Sequence, residues 1–147
     1  MRVFLDTNVL ASAAATRGLC ADVLREVLTS HELLTSEQVL SELERVLRTK
    51  FDVPRDLIDD FMGLMREDTV LAKPGPLLDI EIDDKDDVPI LSAAISAAAD
   101  VFVTGDKEIL DLGQIGRLTI LSPRQFWEKL KDQRQRGAGR AKPRRSR

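Results

Sequence analysis

Residues 3–8 read Val3-Phe4-Leu5-Asp6-Thr7-Asn8. The first three form a short, continuous apolar run, which predicts a strand buried on both faces of a parallel sheet. Asp6 ends the run, so its carboxylate is predicted at the carboxyl end of that strand. Open parallel sheets bind ligands just beyond these ends, where the strand order reverses. Asp6 is therefore a candidate functional residue, although an Asx turn or a helix cap would explain it equally well.

A second strand of the chain ends in the same way. Val101-Phe102-Val103 is again a continuous apolar run, and Thr104-Gly105-Asp106 follows it directly. Because parallel strands end at the same edge of a sheet, this repeat predicts that Asp6 and Asp106 lie near each other.

Glu42 is predicted on the apolar face of a helix. The apolar residues at positions 39, 40, 43, 46 and 47 follow helical spacing and define one buried stripe. Glu42 lies three residues after Val39 and four before Val46, so it points along that stripe. An ionised carboxylate there is costly unless it is paired or coordinates a metal. The alternative is a glutamate at the edge of the stripe that reaches water or an arginine.

A run of acids precedes the apolar helix expected at 88–99. Residues 82–89 read Ile82-Asp83-Asp84-Lys85-Asp86-Asp87-Val88-Pro89. Acids in the first turn suit the helix dipole, so a solvated capping run explains about two of the four. If Asp87 caps the helix, Asp84 lies one turn upstream and faces the same pocket. A shift of the register by one residue would select Asp86 instead of Asp87.

Short apolar runs alternate with helical segments along the chain, which indicates α/β layering. At 147 residues, of which 43% are hydrophobic, the chain suits one domain with a sizeable core. The strands are predicted at 3–5, 33–35, 69–72, 101–103 and 118–121. The helices are predicted at about 18–30, 36–49, 54–67, 88–99 and 123–133.

These segments together resemble the PIN-domain nucleases over residues 1 to about 130, and most closely the branch described as VapC-like toxins of toxin–antitoxin systems. The resemblance implies a PIN-like three-layer α/β/α fold with a central, mostly parallel sheet. The motifs that carry it, in chain order, are Leu5-Asp6-Thr7-Asn8-Val9-Leu10, Ser41-Glu42-Leu43, Asp84-Lys85-Asp86-Asp87, and Ala99-Asp100-Val101-Phe102-Val103-Thr104-Gly105-Asp106.

The resemblance also implies a metal-dependent endoribonuclease. Its partners would be RNA, a cognate antitoxin and a second copy of the chain, and it would not bind a membrane. Asn8 and Thr104 match polar positions that orient ligands or the attacking water, although turn and cap bonding explains them equally well. Carried over to this chain, the residues that hold one or two Mg2+ or Mn2+ ions are Asp6, Glu42, Asp87 and Asp106, with Asp84 auxiliary.

The chemistry of RNA hydrolysis suits an acidic site of this kind. Hard divalent cations prefer oxygen ligands, and Mg2+ keeps several waters, so a few carboxylates open toward a phosphate are sufficient. Paired metals about 4 Å apart can activate water and stabilise both the phosphate charge and the leaving oxygen. The acids thus bind metal rather than attack the phosphate.

The charge is divided along the chain. Residues 134–147 contain seven basic side chains and no acid, and the rest of the chain has 15 basic and 25 acidic side chains. We expect a nuclease domain at 1–132 and a disordered basic tail at 133–147. The tail is predicted to bind the phosphate backbone, or else to be a solubilising end or to fold back on the acidic body. Its basic residues are Arg134, Arg136, Arg140, Lys142, Arg144, Arg145 and Arg147.

A single cysteine, Cys20, excludes an internal disulfide framework. With no secretory or membrane-length apolar segment in the sequence, we expect a cytoplasmic protein.

Two other function classes remain open. A receiver-like or dehalogenase-like phosphotransfer domain also gathers aspartates and Mg2+ at strand ends, and Lys107 would be its lysine. A non-catalytic RNA-binding or scaffold module would use a degenerate pocket and would bind RNA without metal.

Overall fold

The computed structural model describes the backbone of residues 1–145 and the side chains of residues 1–137. Strands and helices alternate through most of this part of the chain. The strands are β1 (Arg2–Leu5), β2 (Glu32–Thr35), β3 (Val70–Leu71), β4 (Val101–Val103), β5 (Gln114–Ile115) and β6 (Leu118–Leu121). The helices are α1 (Thr7–Ala15), α2 (Leu19–Ser30), α3 (Glu37–Thr49), α4 (Arg55–Asp68), α5 (Asp87–Ser96), α6 (Lys107–Leu110) and α7 (Pro123–Arg145).

The strands form one sheet in the order β3-β2-β1-β4-β6-β5. All neighbouring pairs are parallel except β5 and β6, which form an antiparallel hairpin at one edge. From β1 the chain moves outward through β2 to β3, and it then returns to β4 on the other side of β1. The strand order therefore reverses between β1 and β4, and the cleft beyond their carboxyl ends is the expected ligand site.

The two central strands are buried on both faces, as their continuous apolar runs predict. Every side chain of 3–5 and of 101–103 is at most 2% exposed. Phe4 and Phe102 lie side by side in the register of β1 and β4, and their rings stack with centroids 5.4 Å apart. Helices flank the sheet, so the predicted three-layer α/β/α fold with a mostly parallel sheet is confirmed.

Several short elements escape prediction from the sequence. Helix α1 begins at Thr7, directly after Asp6, although its residues are mostly apolar and show no clear helical period. The one-turn helix α6 and the two-residue strand β5 are too short for any periodicity. Helix α5 ends at Ser96, three residues earlier than expected, because Ala98 adopts a positive φ of 58° and turns the chain into β4.

Helix α7 extends past the end predicted at 133, and its backbone is helical rather than irregular through Arg145. Phe126 and Leu130 anchor its start in the core. Arg134 forms an ion pair with Glu26 of α2, and Arg136 pairs with Asp132 one turn earlier. The boundary between a 1–132 domain and a basic tail stays a prediction. The remaining basic side chains of the tail lie outside the described residues, so their binding of RNA stays a prediction. They are those of Arg140, Lys142, Arg144, Arg145 and Arg147.

No helix in the described part of the chain is long and apolar enough to cross a membrane.

Candidate metal centre at the carboxyl edge of the sheet

Asp6 lies at the point where the strand order reverses. It follows β1 directly, and its backbone N–H donates to the carbonyl of Val103 at the end of β4, at 2.9 Å. The side chain is only 7% exposed. A carboxylate this deeply buried needs partners, because its charged form is poorly solvated.

Both carboxylate oxygens of Asp6 accept hydrogen bonds. The backbone N–H of Thr7 donates to Oδ1 at 2.8 Å, so Asp6 caps α1. The Thr104 hydroxyl donates to Oδ2 at 2.7 Å, and the same hydroxyl accepts from the backbone N–H of Asp106 at 3.0 Å. The helix-cap interpretation of Asp6 is therefore correct, and it does not compete with a role in the cleft. Thr104 fixes the relative positions of the two acids that end β1 and β4.

Glu42 lies on the buried stripe of α3, as predicted. Its neighbours Val39 and Leu43 are fully buried, and Glu42 itself is half-buried. The Thr7 hydroxyl donates to Oε1 at 3.2 Å, and the side-chain amide of Gln38 donates to Oε2 at 3.1 Å. These neutral donors hold the carboxylate, and no arginine among the described side chains pairs with it.

The acid run before α5 is a loop tied to the body at two points. The backbone N–H of Asp83 donates to both carboxylate oxygens of Glu108, at 2.9 and 3.0 Å. The carbonyl of Asp86 accepts from Gln38 at 2.8 Å. Asp86 occupies the N-cap position without a side-chain capping bond, and Asp87 is the first residue of α5. The N-cap position thus lies one residue before Asp87.

Among the five predicted metal ligands, Asp6 and Asp87 have a raised pKa. Burial raises the pKa of Asp87 to about 7, and four neighbouring carboxylates add to the effect. Burial also raises the pKa of Asp6, against the opposing hydrogen bonds from Thr104 and Thr7. The four carboxylates that act on Asp87 are those of Asp6, Asp84, Asp106 and Glu42. We call the five together the acidic cluster.

Asp84 and Asp86 differ in their contacts within the acid run. Asp84 acts electrostatically on Asp87, which is half-buried, whereas the exposed Asp86 is absent from the groups that raise its pKa. Asp84 also accepts the backbone N–H of Asp86 through Oδ1, at 3.0 Å. Asp84 is thus an electrostatic neighbour of Asp87, and the choice of Asp87 over Asp86 as a ligand stays a prediction.

The PIN domain sequence profile matches residues 2–108, which is well over half of the chain. The chain belongs to the PIN domain family. No curated protein sequence matches this PIN domain significantly.

Two solved structures share the PIN fold described above, each with a TM-score of 0.58. One is VapBC2 from Rickettsia felis bound to a DNA fragment from their promoter, at 17% identity, where the match covers 83% of this chain and 98% of the other. The other is VapBC-1 from nontypeable Haemophilus influenzae, at 19% identity, covering 84% and 99%. Family membership gives no support to a receiver-like or dehalogenase-like domain.

The donor set of this PIN domain fits a hard divalent cation. The acidic cluster offers only oxygen atoms, which Mg2+ and Mn2+ prefer. Within the described side chains 1–137, none of its five members forms an ion pair with a lysine or arginine. No three Asp, Glu, His or Cys side chains of that range converge closely enough to hold one ion. The carboxylates thus lie near one another without converging on one point, as expected of like charges.

Some of the other polar residues near the acidic cluster were predicted from the sequence, and others were not. Asn8 is exposed on the first turn of α1, two residues after Asp6, and its orienting role stays a prediction. Asp106 caps α6, since its Oδ1 accepts two backbone N–H groups at 2.9 and 3.2 Å. Thr7 and Gln38 were not predicted as residues of the site. Gln38 was detectable, because it lies four residues before Glu42 on the same helix face.

Proposed function

We propose that this PIN domain is a metal-dependent endoribonuclease that hydrolyses RNA phosphodiester bonds at the acidic cluster. The observation that supports this most directly is that four carboxylates lie close enough to Asp87 to raise its pKa, while none of the five forms an ion pair with a lysine or arginine among the described side chains. Such a cluster is electrostatically unfavourable by itself, and its charges help to raise the pKa of Asp6 and Asp87. A divalent cation would relieve that repulsion.

Each residue of the site has a proposed role. Asp6, Glu42, Asp87 and Asp106 would hold Mg2+ or Mn2+, with Asp84 at the margin. The bound cation would supply an activated water and neutralise charge on the phosphate. Thr104 would hold Asp6 and Asp106 in register through its hydroxyl, and Thr7 would hold Glu42. Asn8, exposed beside Asp6, would orient the substrate or the attacking water.

The test is cleavage of structured and single-stranded RNAs in Mn2+ or Mg2+, with a chelator control. Wild type is compared with Asp6→Asn and Glu42→Gln, which keep the side-chain shape and remove the charge. Glu44→Gln is the matched control, because Glu44 is on the same helix and pairs with Arg55 at 3.7 Å. We expect metal-dependent cleavage by wild type and Glu44→Gln only. Undiminished cleavage by purified Asp6→Asn would refute the proposal, and binding of RNA in chelator without cleavage would favour a non-catalytic module.

We also propose that the chain is the toxin of a toxin–antitoxin pair and acts in the cytoplasm, where it would meet RNA. Both similar solved structures are of VapBC proteins. An apolar cavity of about 310 Å3 between α1, α3 and α4 supports a protein partner, because its wall includes the exposed Leu57 and Leu64. That partner would be an antitoxin or a second copy of the chain. Growth arrest on expression of wild type but not of Asp6→Asn would support the toxin role, and equal growth would contradict it.

A further inference from the structure

Gln38 joins two of the elements that carry the acidic cluster. It lies on the first turn of α3, where its side-chain amide nitrogen donates to Oε2 of Glu42 at 3.1 Å. The same nitrogen donates to the backbone carbonyl of Asp86 at 2.8 Å, across 48 residues of sequence. An amide nitrogen carries two hydrogens, so both of its donors are used.

These two hydrogen bonds complete a series of links around the cleft. Thr104 ties the acids that end β1 and β4, and Thr7 ties the start of α1 to Glu42. Among the described side chains, Gln38 makes the hydrogen bond from α3 to the acid loop of residues 83–87. The other side-chain anchor of that loop is Glu108 of α6, which binds the backbone of Asp83.

We propose that Gln38 is a positioning residue that sets the distance between Glu42 and the carboxylates of Asp84 and Asp87, so that α3 and α5 present them to one cation. This inference rests on the proposed metal-dependent function. It adds a residue on which the assembly of the site depends, although that residue does not itself contact the cation.

A neutral amide is suited to this position for an electrostatic reason. Lysine or arginine at position 38 would also bridge Glu42 and the loop, but its charge would compete with the cation for the same carboxylates. The amide donates to one oxygen of Glu42, and each carboxylate oxygen has about two lone pairs. Both oxygens of Glu42 therefore keep acceptor capacity for a metal after binding Thr7 and Gln38.

Gln38→Met tests the inference, because methionine keeps the length and helix propensity of the side chain and removes the amide. Gln114→Met is the matched control, since the amide of Gln114 also donates to a backbone carbonyl, that of Gly116, at 2.9 Å. The first readout is hydrogen exchange of the amides of residues 83–88 in metal-free protein. The second is the Mn2+ dissociation constant from calorimetry, with the melting temperature measured alongside.

We expect Gln38→Met to speed exchange in the 83–88 loop and to weaken Mn2+ binding about 10-fold, the low end of what loss of an orienting partner costs. The melting temperature should stay near that of wild type, and saturating Mn2+ should restore most of the cleavage rate. A merely structural role would instead lower the melting temperature, and extra Mn2+ would not restore the rate.

The inference is overturned if loop exchange and Mn2+ affinity both match those of wild type, or if Gln114→Met changes them equally. Its failure is distinguishable from failure of the proposed function. If wild type cuts no RNA, the nuclease assignment falls, but loop exchange and Mn2+ affinity still decide whether Gln38 positions the acids.

Discussion

Asp87→Asn should stabilise the metal-free protein while removing its activity. The folded-state pKa of Asp87 is about 7, against an ordinary value of 3.8. The folded protein therefore holds a proton that the unfolded chain releases between these pH values, so its stability falls as the pH rises through that window. Above about pH 7 the Asp87 carboxylate is charged in the folded state and is repelled by the neighbouring carboxylates. Asparagine has nearly the same size and no charge, so it removes this repulsion.

The magnitude follows from the size of the shift. A difference of about three pKa units corresponds to roughly 4 kcal/mol at about 1.4 kcal/mol per unit. Because Asp87 is only half-buried, water and salt screen much of this, and we expect a gain of about 1–2 kcal/mol. For a domain of this size that raises the melting temperature by about 3–6 °C.

The assay is thermal unfolding of metal-free protein at pH 8 and pH 5, with Asp86→Asn as the control. The two substitutions remove one charge from adjacent residues, but Asp87 is half-buried whereas Asp86 is exposed. The gain from Asp87→Asn should be largest at pH 8 and shrink toward pH 5, where the wild-type carboxyl is protonated.

Added Mn2+ should then reverse the order at pH 8. Wild type gains about 2.7 kcal/mol at a free concentration about 100 times its dissociation constant. Asp87→Asn should gain far less and should cut no RNA. The reasoning is refuted if Asp87→Asn is no more stable than Asp86→Asn at pH 8, or if its gain is the same at both pH values.

Three further predictions concern other parts of the molecule. Thr104→Val removes the hydroxyl that joins Asp6 to the backbone of Asp106. The free energy of unfolding in urea should therefore fall by about 1–3 kcal/mol, and Mn2+ binding should weaken about 10-fold or more. Unchanged values would show that the two acids hold their positions without this hydroxyl. Leu57→Lys should leave the melting temperature and RNA cleavage unchanged, because the Leu57 side chain is 54% exposed. It should reduce self-association or antitoxin binding, measured by light scattering. Unaltered association would exclude this face as the binding surface. Deletion of residues 138–147 should make RNA binding less dependent on salt. The slope of the logarithm of the binding constant against the logarithm of the salt concentration should fall in magnitude by about 0.7 for each phosphate that this segment neutralises. An unchanged slope would show that the segment neutralises none.

The buried strands were predictable because their signal is local. A continuous apolar run followed by an acid requires no knowledge of the rest of the chain, and both Val3-Phe4-Leu5 and Val101-Phe102-Val103 lie where their patterns indicate. Glu42 was detectable for the same reason, since a charged residue interrupts a helical stripe of period 3.6. The PIN resemblance added the order of the motifs, and the family match confirms it.

The register of the acid run was not predictable from the sequence. Four acids within five residues fit local rules about helix starts similarly well, so Asp86 stayed open as an alternative to the predicted Asp87. The choice depends on which way the loop faces, and two distant residues decide that. Glu108 holds the loop at Asp83, and Gln38 holds it at Asp86.

By itself, the sequence determined the class of the fold, the family, and the residues that end its central strands. These follow from hydrophobic periodicity and from motif order, which act over a few residues at a time. Only the tertiary structure decided that carboxylates from the ends of β1 and β4, from α3 and from the acid loop and α5 lie near one another, and that Thr104 and Gln38 link the elements that carry them. Those facts depend on contacts between residues 48 and 98 positions apart, which no local pattern encodes.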